Sequence, residues 1–160
     1  MRTTILIALL LLAPAVPALA EDSPRVRWRA EKAQVLETLH DLADRCTRMK
    51  LFGTRADIYE QLLALSPDDK TARKWLKYKR AKDGSWERKG RWRRPRNSGK
   101  GVAEIVKRRQ AHAAEYRERL RDLLEELRDA GLFKEAAEVV MAAVAIDSEN
   151  EEFREWNGEV

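Results

Sequence analysis

A chain of 160 residues, 37% of them charged and 7% aromatic, with one cysteine and a formal net charge of +5, is sized for one domain with a usable core. It excludes an intramolecular disulfide and a zinc site built on several thiols. The charge is also lopsided: Lys70 to Lys100 hold 14 Lys/Arg against Asp83 and Glu87, while the other residues after Ala20 carry 17 basic and 25 acidic groups.

The first 20 residues read as a secretory signal peptide. Met1-Arg2 is positive, Ile5 to Ala13 is apolar, and Ala18-Leu19-Ala20 supplies the small residues of a cleavage site. The apolar run is shorter than the ~20 residues of a membrane-spanning helix. Cleavage after Ala20 is expected, leaving residues 21–160 as one helical domain, secreted or periplasmic, with no integral membrane segment.

Two stretches then repeat at an offset of 81 residues: 51–69 lies over 132–150, and 39–46 over 120–127. Shared residues include Leu39/Leu120, Leu42/Leu123, Phe52/Phe133 and Trp75/Trp156. In the first copy Val35, Leu39, Leu42, Cys46 and Met49 draw one stripe along a helix. A second helix is predicted from about Thr54 to Leu65, ended by Pro67. Cys46 on that stripe reads as a core thiol, with an intermolecular bridge as the alternative. A third helix is expected from Asp69 to about Lys79, carrying Ala72, Trp75 and Leu76.

Residues 77–100 form a basic, aromatic insertion. Asp83-Gly84 suits a two-residue hairpin turn flanked by Tyr78, Arg80 and Trp86. Gly90 marks a second turn, and Asn97 or Ser98 is a candidate cap for the helix that follows. A lone hairpin is marginal in water, so Trp86 and Trp92 are expected to pack on the helix carrying Trp75. The cations Arg88, Lys89, Arg91, Arg93, Arg94 and Arg96, with Trp92 among them, admit two readings. They are a solvated run or one neutralised by the acidic second copy, or a patch for a polyanion: an anionic surface polymer, phospholipid headgroups or an acidic protein. Cations with aromatics also suit single-stranded nucleic acid, but no fold signature of a nucleic-acid binder accompanies them.

From Gly101 to Ala130 one long helix is predicted, with a stripe of Val102, Ile105, Val106, Ala113, Tyr116 and Leu120. It runs into the second copy, where Gly131 closes it and a helix follows from Lys134 to Ile146. Glu151 to Val160 reads either as a capping helix or as a segment that meets further contacts in its natural context. Leu39, Leu42, Leu62, Leu123, Leu127 and Val140 are the expected structural supports.

The two copies, in frames 36–69 and 117–150, resemble the tetratricopeptide repeat, a unit of about 34 residues. Gly131, Phe133, Ala136, Ala143, Ile146 and Asp147 match its pattern in the second copy, and Phe52, Tyr59, Leu62, Leu65 and Pro67 in the first. Ser148 replaces the usual proline, Arg55 and Leu124 stand at small-residue positions, and Leu39 and Leu120 replace tryptophan. The resemblance implies a mainly α fold: two helical hairpins, joined by a basic β-hairpin insertion and a long helix, offering a concave surface to a protein or peptide. Two units fall short of the roughly three such arrays need, which invites a partner or a homo-oligomer.

Catalytic signatures are missing from the sequence. His40 and His112 stand in no H-x-x-x-H or H-E-x-x-H, and SGKG at 98–101 lacks the first glycine of a phosphate loop. The expectation is an exported, non-enzymatic scaffold with no cofactor or metal; the alternative is a polyanion-binding module acting through residues 88–96.

Overall fold

The computed structural model describes residues 23–88 and 90–158. The expected signal peptide, Lys89 and Val160 lie outside the described residues. The chain is mainly α-helical with one small antiparallel hairpin.

Helix α1 runs from Pro24 to Arg48. Ser23 caps it, its hydroxyl accepting from the Val26 N–H, and Pro24 sits in the first turn, where a missing N–H costs nothing. The predicted stripe is buried from Val35 to Cys46, but the helix starts earlier and also buries Trp28. Lys50 then takes a left-handed φ of 57°, and Leu51 N–H reaches back to Cys46 O at 2.8 Å. This is a Schellman-type ending. Helix α2, Phe52–Leu65, returns antiparallel and buries Ile58, Tyr59 and Leu62 against α1.

Helix α3 spans only Lys70–Trp75, with Asp69 as its cap. The expected continuation to Lys79 does not occur. Leu76 turns into the core and Lys77 adopts a left-handed φ of 63°, which ends the helix and aims the chain into a hairpin. Strands β1 (Tyr78–Arg80) and β2 (Trp86–Arg88) pair with Tyr78 opposite Arg88 and Arg80 opposite Trp86. The predicted two-residue turn is instead a longer one. Gly84 N–H bonds to Ala81 O and Ala81 N–H to Ser85 O, so Lys82-Asp83-Gly84 form a three-residue loop with Gly84 left-handed. Asp83 braces it by accepting from both the N–H and the hydroxyl of Ser85.

Helix α4, Val102–Asp129, is the long rod, and α5, Phe133–Ile146, packs back on it. Gly101 caps α4 with φ 108° and no side-chain bond, so neither Asn97 nor Ser98 serves there as expected. Val102 and Val106 also depart from expectation, being 41% and 40% exposed. The first turns of α4 are packed through Ile105, which is fully buried, while Val102 and Val106 lie to the side of that contact. Helix α6, Glu151–Trp156, closes the described chain.

The bounds of α2 and α5, and of α3 and α6, stand 81 residues apart. Gly131 takes the same left-handed turn as Lys50, and Leu132 N–H bonds to Leu127 O at 2.8 Å. Equivalent side chains share burial: Leu39 with Leu120, Leu42 with Leu123, Cys46 with Leu127, Ile58 with Val139 and Leu62 with Ala143. All belong to one core, formed where α1 packs on α4 and α5 and α2 packs on α5. Val140 is buried with them. At the junction Glu138 of α5 accepts from Trp28 Nε1 (3.1 Å) and from Lys32 Nζ (2.7 Å). Arg109 of α4 donates to the last carbonyls of α5, Ala145 and Ile146, and to Gln61 of α2.

Candidate anion-binding face

Helix α3 is under two turns long, and its 3- and 4-residue spacing puts Lys70, Arg73 and Lys74 along one side, with Lys77 just past its end. The chain reversal at Lys77 folds the hairpin back beside them. The result is a surface cavity of about 510 Å³ lined by Lys70, Arg73, Lys74, Lys77, Lys79, Tyr78 and Trp86. Among the described residues no acidic side chain lines it. Asp68 lies near its edge, accepting from Trp86 Nε1 at 2.9 Å.

The aromatics and arginines interleave in a ladder. Arg80 lies 5.4 Å from the Trp86 ring centre, and Arg73 lies 4.9 Å from Trp86 and 4.4 Å from Tyr78. Arg88 follows at 4.8 Å from Tyr78 and 4.2 Å from Trp92. Each such contact contributes about 0.5–1 kcal/mol at an exposed site. The ladder therefore adds to what holds the hairpin against α3. Trp92 and Tyr78 do pack on the core. Trp86 packs on α3, the helix that carries Trp75, through Arg73, while Trp75 itself is 43% exposed with Arg55 over its ring at 3.9 Å.

Beyond the hairpin the chain bends at Gly90, φ 65°, and crosses the first helical hairpin as a strap. Asn97 Oδ1 accepts from Gly53 N–H (2.8 Å) and Thr54 N–H (3.1 Å), and its amide donates to Thr54 Oγ1. It thus caps α2, whose own N-cap residue Leu51 offers no side-chain acceptor. Ser98 and Gly99 N–H both bond to Lys50 O. A Cβ on Gly99 would stand 1.7 Å from Met49 O, and one on Gly53 would stand 2.8 Å from Pro95 O. Both glycines are there for closeness.

The predicted patch is split by this arrangement. Arg88 pairs with Glu60 at 3.0 Å, and Arg94 pairs with Asp57. Both acids belong to α2, so the run is neutralised in part by the first copy and not, as expected, by the second. Burial pushes the Asp57 carboxyl above its ordinary value despite Arg94. Arg91, Arg93 and Arg96 are exposed. The sequence reading missed Lys70, Lys74 and Lys77, although their helical spacing was visible.

The remaining reactive side chains are engaged singly. His40 Nε2 lies 2.9 Å from Asp69 Oδ2, and His112 lies 3.8 Å from Glu115. Cys46 is fully buried, and burial pushes its thiol up to about 11. No protein-family model, curated protein or solved structure matches this chain. Among the described residues no helix is long and apolar enough to cross a membrane.

Proposed function

We propose that this is an exported, non-enzymatic binding module that grips an anionic polymer on the face formed by α3, the β-hairpin and the strap. One observation carries the proposal: five cations and two aromatic rings surround a single cavity with no acid among the described residues that line it. Keeping like charges together is unfavourable, and an anionic ligand relieves the repulsion while the rings supply flat apolar contact. The exposed Arg91, Arg93 and Arg96 extend the same positive surface. A phosphate-, sulfate- or carboxylate-bearing polymer has the matching chemistry.

Titration with heparin, a soluble sulfated polymer, tests this. Binding weakens steeply with added salt, and Lys70/Lys74/Lys77→Ala together lower affinity at least about tenfold. Affinity that survives both high salt and the triple substitution overturns the proposal.

A second reading, a helical scaffold for a protein partner as the likeness to tetratricopeptide repeats implies, draws support from another surface. Phe133 is 71% exposed and Met141 39% on the outer side of α5, with half-buried Trp156 beside them. Binding there responds to Phe133→Ala and little to salt.

A further inference from the structure

Among the equivalent places at which the two helical hairpins differ, one leaves a slot open. In the first, Arg55 of α2 inserts its guanidinium between two rings, 5.0 Å from Phe52 and 3.9 Å from Trp75, and donates to Thr47 Oγ1 at 3.1 Å. Arg55 is buried there. Eighty-one residues on, Phe133 and Trp156 replace the two rings and Ala136 replaces Arg55. The side chain that fills the first slot is gone. What remains is an open cavity of about 320 Å³ lined by Phe133, Ala136, Val140, Met141, Trp156 and Arg128, among others. Trp156 is held in place by Phe153, with ring centres 5.1 Å apart. Phe133 is left largely in water.

We infer that the slot between Phe133 and Trp156 receives an arginine side chain from the strap of a second copy of this chain, joining molecules head to tail. The pair of rings, which holds an arginine in the first slot, favours that occupant, and so does the charge around the slot, though among the described residues its own lining holds no acid. Residues 117–158 carry 6 Lys/Arg against 12 Asp/Glu, whereas the strap presents Arg91, Arg93 and Arg96 exposed. Glu125 corresponds to Asp44, one of the charges that favour the Arg55 cation in the first slot. Arg128, at the position of Thr47, opposes an incoming guanidinium, so the acidic surroundings and the two rings must outweigh it. The strap backbone does not dock on α5 as it docks on α2. Lys134 stands where Gly53 admits Pro95, and its Cβ forbids that approach. The contact is therefore made by an arginine side chain. Because donor and acceptor surfaces differ, it is heterologous and does not close a dimer by itself.

This self-association uses the strap arginines but not the α3 cavity, so Lys70/Lys74/Lys77→Ala, which tests the polymer-binding proposal, leaves it unchanged. Sedimentation equilibrium of the purified chain at low salt shows concentration-dependent association that added salt reverses. Ala136→Arg plugs the slot from within, as Arg55 does the first, and weakens association about tenfold or more. Phe133→Ala, at an exposed ring, does the same without touching the core. Arg91/Arg93/Arg96→Ala removes the donor surface with equal effect. An equimolar mixture of the slot variant with the strap variant restores pairing but stops at dimers, since each partner keeps one working face. A wild-type chain that stays monomeric at low salt overturns the inference. So does a mixture that fails to pair.

Discussion

Gly99→Ala is a substitution of one methyl group on an exposed-looking strap, yet its predicted effect is large. The added Cβ would stand 1.7 Å from Met49 O and 2.9 Å from Met49 C, backbone atoms of the α1–α2 turn. Neither can move far, because Leu51 N–H and Met49 N–H tie that turn to α1. The strap must lift instead. Lifting it removes the Asn97 cap of α2, about 1 kcal/mol. It also breaks the two N–H bonds from Ser98 and Gly99 to Lys50 O, about 1 kcal/mol each and less for the second because they share one acceptor. The sum is about 2–3 kcal/mol out of a stability of roughly 5–15 kcal/mol, so the variant still folds. Urea unfolding followed by far-ultraviolet circular dichroism measures it. Asn97→Ala alone costs about 1 kcal/mol. The double variant costs about the same as Gly99→Ala, because the cap is already lost when the strap lifts. If Gly99→Ala unfolds within about 0.5 kcal/mol of wild type, or if the two costs add in full, the strap is not anchored as described.

Arg73→Ala removes the middle rung between Trp86 and Tyr78. It costs about 1–2 kcal/mol and weakens the near-ultraviolet dichroism of the tryptophans. The Glu138 carboxyl is pushed up by burial, but hydrogen bonds from Lys32 and Trp28 outweigh that and hold it below its ordinary 4.5. A lowered carboxylate pKa stabilises the fold above 4.5, and the benefit disappears as pH falls through the folded value. The difference in melting temperature between wild type and Glu138→Gln is thus present at neutral pH and shrinks in acid. Cys46, buried with its thiol raised to about 11, does not react with a disulfide reagent at neutral pH until denaturant is added.

Helix positions were the most legible part of the sequence, because apolar residues at 3- and 4-residue steps mark a buried face without knowledge of its neighbour. Leu39, Leu62, Leu123 and Val140 could all be placed in a core that way. Trp28 is in phase with the α1 stripe, seven residues before Val35, but the polar Glu31 and Lys32 interrupt the pattern between them, and its burial depends on α5 arriving alongside. The end of α3 was hidden for a related reason. Nothing local forbids a helix through Lys77; the reversal is set by Leu76 entering the core. The strap was the least legible. Asn97 looks like a cap in any reading, but which helix it caps depends on a contact made across 44 residues. The cationic cavity lay in between. Its lysines keep helical spacing, but their enclosure depends on the hairpin folding back toward α3.

The distance between Asn97 and the helix start it completes also sets an order of events during folding. Helix α5 closes onto α4 through a turn of immediate neighbours, so the later half of the chain assembles from short-range encounters. Helix α2 keeps free N–H groups until a segment 44 residues downstream returns to it, and closing so long a loop costs entropy before any contact repays it. The first helical hairpin closes through an equally short turn, but the cap of its second helix comes from a segment made after it.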